Sequence, residues 1–245
     1  MSIEWRGAAV SPSDGIPVAE EWEPVAVPGR PSQFADAEAV AYRTDFDDPR
    51  APADEHVLLV LAGTYAHTRV WLNGEEIASS DAYFEPLRTP LDVEAENELI
   101  VECRRPTDRF GGVYETDLVP DTAAVPGIWW TAEIETHPDP YVEGLSLTPA
   151  LDGDTPSVEV TASITSTDPI DDRMTLSIRP AGETRGGGTM ERMRVDVTSG
   201  RTEIFETVTM RDAALWWPHD AGEQPRYAFR AKLDEATRTV ETGLR

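Results

Sequence analysis

Forty-six of the 245 residues are Asp or Glu, so pairs of carboxylates, the usual groups for acid–base chemistry, are abundant. Adjacency in sequence does not make a shared cleft. Asp47-Asp48 and Asp171-Asp172 both lie close to prolines in predicted loops and read as solvated turns. The four histidines (His56, His67, His137 and His219) show no metal-ligand spacing, and Cys103 is alone, so no metal site and no cofactor are expected. Ser32 and Ser79-Ser80 lack the glycines of a nucleophile elbow. Gly186-Gly187-Gly188 precedes no helix, so it reads as a hairpin tip and not as a phosphate cradle. No catalytic residue is assigned. The segment best suited to contact a ligand is Pro106-Thr107-Asp108-Arg109-Phe110-Gly111-Gly112-Val113-Tyr114. It is a long loop between two predicted strands, rich in glycine, aromatic and charged residues. Binding functions concentrate on such loops when a rigid scaffold holds their ends.

The scaffold is all-β. In the second half, Val158, Val160, Ala162 and Ile164 alternate with Glu159, Thr161 and Ser163. The same period of two runs through Met174–Ile178, Met193–Val197 and Tyr227–Leu233, the pattern of strands with one buried and one wet face. Segments near 141–148, 202–210 and 237–242 bring the total to about seven strands, as in an immunoglobulin-like sandwich. In the first half, Val57-Leu58-Leu59-Val60-Leu61 has no polar face and belongs inside a layer covered on both sides. Asn73-Gly74 between Thr68–Leu72 and Glu75–Ala78 predicts a tight hairpin, because both turn positions need positive φ. The one helical candidate spans Ala35–Val40. Many strands with long loops predict a jelly-roll sandwich for residues 1–139 and an immunoglobulin-like sandwich for 140–245, divided by the linker His137-Pro138-Asp139-Pro140.

The formal charge is −25, and Lys232 is the only lysine. The acids are scattered, which makes a solvated surface that repels phosphate backbones and excludes nucleic acid as a partner. An acidic, lysine-poor surface suits a halophilic setting, where salt screens the self-repulsion. Met1–Arg6 has neither a basic nor an apolar leader region, and no apolar run reaches membrane-spanning length. A cytoplasmic location without membrane contact is therefore expected. Cys103 is expected to be a small buried strand residue.

Several stretches, in order, resemble the non-catalytic modules of family 2 glycoside hydrolases. They are Trp22-Glu23-Pro24-Val25-Ala26-Val27-Pro28-Gly29, Ala41-Tyr42-Arg43-Thr44-Asp45-Phe46, Leu61–Gly74, Glu96–Val101, Gly127-Ile128-Trp129-Trp130, Leu215-Trp216-Trp217-Pro218 and Gly222-Glu223-Gln224-Pro225. That family includes β-galactosidases, β-glucuronidases and β-mannosidases, and the β-mannosidase type shows the pattern most visibly. Glu241-Thr242-Gly243-Leu244-Arg245 resembles the point where the immunoglobulin-like domain hands over to the catalytic (β/α)8 barrel, which holds both catalytic glutamates. The resemblance thus implies a galactose-binding-like jelly roll followed by an immunoglobulin-like spacer, with the catalytic barrel absent. Asn97-Glu98 imitates the family's Asn-Glu acid/base pair, but it falls on a sandwich-strand motif.

By the same resemblance, the 106–114 loop reaches a sugar. Asp108 would accept hydrogen bonds from two hydroxyls, and Phe110 or Tyr114 would offer an apolar face to the ring. Where relatives carry Asn-Trp after Val-Pro, this chain has Gly29-Arg30-Pro31, which counts against a complete galactoside subsite. One member of each Trp pair, Trp129-Trp130 and Trp216-Trp217, must face outward, with packing against a neighbouring domain expected and sugar stacking the alternative. The function implied is a non-catalytic sugar-binding or scaffolding portion of a family 2 β-glycosidase. Its partners would be a carbohydrate and either a separate barrel chain or further copies of this chain. The alternatives are a free-standing carbohydrate-binding module and a structural adaptor without a sugar site.

Overall fold

The computed structural model describes residues 4–106, 116–118, 120, 124–152 and 155–245. The strands of the first unit are β1 (Trp5–Val10), β2 (Glu23–Val25), β3 (Ala39–Asp47), β4 (His56–Leu61), β5 (Thr64–Tyr65), β6 (His67–Leu72), β7 (Glu75–Ser80), β8 (Leu87–Pro90), β9 (Glu96–Arg104), β10 (Gly127–Ile128) and β11 (Ala132–His137). Those of the second are β12 (Tyr141–Asp152), β13 (Thr155–Ser166), β14 (Ile170–Ala181), β15 (Thr189–Val197), β16 (Gly200–Thr209), β17 (Arg226–Leu233) and β18 (Ala236–Thr242). Contacts divide the chain into compact units at 1–136 and 137–245.

The first unit is a sandwich of the six-stranded sheet β2-β1-β3-β9-β6-β7 and the three-stranded sheet β11-β4-β8, with a short β10-β5 pair. Val40 and Tyr42 of β3, Leu99, Val101 and Cys103 of β9, and Val70 and Leu72 of β6 share its core with Val57, Leu59 and Leu61 of β4. Leu58 and Val60, on the opposite face of β4, are also buried, so the apolar run is covered on both sides as its composition requires. Asn73 and Gly74 have φ of 50° and 92°, and the β6–β7 hairpin forms around them.

The expected helix over Ala35–Val40 does not form. The only helical turn among the described residues is a 3-10 turn at Ser32–Phe34. Ala39 and Val40 are drawn into β3 instead, wholly buried between Val10 and Ala9 of β1 and Arg104 and Cys103 of β9. Ladder pairing on both sides outweighs a weak helical preference.

The second unit packs β12-β13-β16 against β15-β14-β17-β18, seven strands in two layers. The alternating residues point where their period places them: Val158, Val160, Ala162, Ile164, Met174, Leu176, Ile178, Tyr227, Phe229, Ala231 and Leu233 are all core. The whole is all-β, a jelly-roll sandwich followed by an immunoglobulin-like one.

Candidate functional site

Asp108, Phe110 and Tyr114 lie outside the described residues, but both ends of their loop are described. On the β9 side, Arg105 is fastened to the segment before β3. Its backbone N–H donates to the Glu38 carbonyl at 2.8 Å, and its Nε donates to the Ala37 carbonyl at 3.0 Å. On the β10 side, Gly127 lies against Tyr42, and a Cβ there would sit 2.2 Å from the Tyr42 hydroxyl. That hydroxyl donates to the Pro126 carbonyl at 3.1 Å, and burial pushes its pKa well above the ordinary phenol value. The scaffold thus fixes both ends of the loop that the sequence marks for ligand contact.

A cleft of about 620 Å³ opens at the β9 end, lined by His67, Arg69, Glu76, Asp81, Arg104 and Pro106 among others. Most of its charged side chains are already engaged within the protein. Arg69 pairs with Glu76 and donates to the carbonyls of Ser13 and Asp14 at 3.0 and 2.9 Å. That pairing holds the Glu76 carboxyl below its usual range. Asp81 Oδ1 lies 2.6 Å from His67 Nδ1. Arg104 Nε donates to Glu102 Oε2 at 2.6 Å, and its Nη2 donates to the Ser13 carbonyl.

A retaining glycosidase needs one protonated and one ionised carboxyl, about 5–5.5 Å apart, facing a common substrate. Among the described residues, Glu102 is the one carboxyl held above its usual range, and the cause is burial. It has no exposed surface, and its Oε1 has no hydrogen-bond partner. A group so enclosed cannot reach a glycosidic oxygen. Glu98 is committed to Arg43, whose Nη2 lies 2.8 Å away. Its neighbour Asn97 is buried and fixes the local backbone. The Asn-Glu pair therefore serves the sheet. No group of His, Cys, Asp and Glu among the described residues is arranged to hold a metal ion.

Each Trp pair has one partly buried and one exposed ring, although neither pair lies within a strand: Trp129-Trp130 follows β10, and Trp216-Trp217 sits in the connection between β16 and β17. Trp129 is partly buried, its Nε1 donating to the Val125 carbonyl at 3.0 Å, while Trp130 is exposed. Trp216 is partly buried and Trp217 exposed. In the second pair, the Trp216 N–H donates to the Leu244 carbonyl at 2.7 Å and the Trp217 N–H to the Glu223 carbonyl at 2.9 Å. Gln224 Nε2 then closes the loop on the Trp217 carbonyl at 3.0 Å. Two partners escaped the sequence reading. Arg30, in the segment that departs from the relatives' Asn-Trp, places its guanidinium 4.3 Å from the Trp129 ring centre. Phe84 comes from a loop with no periodicity to mark it and stands beside Trp130, ring centres 5.8 Å apart.

The sequence model described as "Glycosyl hydrolases family 2" matches residues 140–245, almost the whole of the second unit. The chain carries a family 2 glycosyl hydrolase domain. Solved structures extend the likeness of fold across both units. A β-D-mannosidase from Dictyoglomus thermophilum has a TM-score of 0.73 at 20% identity, covering 100% of this chain and 36% of its own. A putative β-galactosidase from Bacteroides fragilis has a TM-score of 0.76 at 15% identity, covering 98% and 40%. A Bacteroides uniformis β-glucuronidase has a TM-score of 0.73 at 13% identity, covering 98% and 31%. This chain therefore spans well under half the length of these three enzymes. No curated protein matches the sequence significantly. The family 2 domain and the jelly roll before it have the fold of the corresponding part of these enzymes. Among the described residues there is no α-helix, hence no (β/α)8 barrel.

Proposed function

We propose that this chain is the non-catalytic, sugar-binding and scaffolding portion of a family 2 β-glycosidase. One observation carries the reading: the family model covers the second unit, and the chain from end to end has the fold of one region of enzymes that act on glycosides. The enclosed state of Glu102 and the pairing of Glu98 with Arg43 support a non-catalytic role. In this reading Asp108 accepts sugar hydroxyls, and Phe110 or Tyr114 covers the ring. The partner is a catalytic barrel, either on another chain or supplied by an assembly. The test is calorimetric titration of the purified chain in multimolar NaCl with methyl β-D-mannoside, methyl β-D-galactoside and methyl β-D-glucuronide. Saturable heat with at least one supports sugar binding. No binding to any of the three would overturn it.

A further inference from the structure

Phe84 and Trp130 are large apolar side chains left 71% and 46% exposed. They are firmly held. The backbone N–H groups of Trp129 and Trp130 both donate to the Gly63 carbonyl, at 3.1 and 3.3 Å. The Trp130 indole occupies the space over Gly63, where a Cβ would come within 1.8 Å of Cε3. Beneath them, Trp129 stacks on Tyr65 with ring centres 4.7 Å apart. Tyr83 meets Tyr65 edge-on at 5.5 Å and Phe84 edge-on at 6.5 Å. Five rings thus form one cluster, whose inner members are packed and whose outer two are wet. Leaving a large ring in water forgoes the stabilisation that burial would give, so two adjacent ones mark a contact surface.

Resting on the sugar-binding reading above, we infer that Phe84 and Trp130, their rings tilted 57° to one another, form a bent stacking shelf on which each ring takes the C–H face of one neutral pyranose unit. Three features select that occupant. The shelf is two rings wide, which suits one or two sugar units and falls far short of the roughly 1,000 Å² of a stable protein interface. Its loop also carries the exposed carboxylate of Glu85, beside Phe84 in the chain, which accepts hydrogen bonds from hydroxyls. The chain's charge of −25 repels phosphorylated and strongly anionic ligands. Because Gly63 already braces the indole, little side-chain entropy is lost when a ring settles on it.

The experiment is tryptophan fluorescence and calorimetry in multimolar NaCl with methyl β-D-mannoside, methyl β-D-galactoside and their disaccharides. Phe84→Ala and Trp130→Ala should each weaken binding about tenfold, while Trp130→Phe retains it. Should Trp130→Ala fail to fold, Phe84→Ala decides, since that ring is mostly in water and its loss leaves the core intact. If the wild-type chain binds and both alanine variants bind equally well, the shelf is wrong and the sugar-binding reading stands. If the wild-type chain binds none of these sugars, both fall together.

Discussion

Asn97 makes four hydrogen bonds from a buried amide. It donates to the carbonyls of Phe46 and Glu94 at 3.3 and 2.9 Å, and accepts from the Glu94 N–H at 2.8 Å and the Asn73 amide at 3.1 Å. Truncation leaves these partners without a replacement, so Asn97→Ala should lower unfolding free energy by about 2–3 kcal/mol in denaturant titrations. Cys103 is enclosed beside Thr68, and burial pushes its thiol up to about 12. It should resist alkylation by iodoacetamide in the native state and react only on unfolding. Glu102 carries a pH dependence. Its folded carboxyl titrates above the unfolded value, so between those two values the native state binds more protons than the unfolded one. Its contribution to stability is therefore full below the unfolded value and is lost as pH rises through the folded one. Glu102→Gln removes that slope, and the variant should gain on the wild type as pH rises through the Glu102 titration in paired denaturant titrations. A pH-independent difference would contradict this account.

At the scale of elements, the β6–β7 hairpin shows why some local structure was legible. Asn-Gly is one of few pairs that accept positive φ at both turn positions, so the turn could be read without its surroundings. The Asn73 side chain then ties the turn to β9, its Oδ1 accepting from the Glu98 N–H at 2.9 Å. Gly74→Ala should therefore destabilise the first unit by about 1 kcal/mol, measurable as a lower melting temperature. The seven strands of the second unit were legible for a similar reason, since a strict period of two leaves one register that buries the alternating apolar face. The segment Ala35–Val40 was misread because its fate is decided by long-range partners on β1 and β9, which no local pattern reports. The Phe84–Trp130 shelf was half legible. The Trp pair implied an outward ring, but the arrival of Phe84 beside it depends on tertiary structure alone.

The whole molecule is dominated by a charge of −25 spread over two sandwiches. Exposed pairs such as Arg194–Asp171 and Arg201–Glu203 recover little of the resulting self-repulsion. Raising NaCl from low to multimolar concentration should therefore raise the melting temperature, and a flat response would remove the case for salt adaptation. The resemblance to glycosidases extends over the entire chain, yet it concerns a region of those enzymes and not their whole length. The described carboxylates are paired, solvated or, for Glu102, enclosed, and the described residues form no (β/α)8 barrel. The most direct test of the central claim is hydrolysis of chromogenic β-mannoside, β-galactoside and β-glucuronide by the purified 245-residue chain in multimolar salt. The account predicts release no faster than the buffer blank for all three. Saturable turnover that co-purifies with the chain would contradict it.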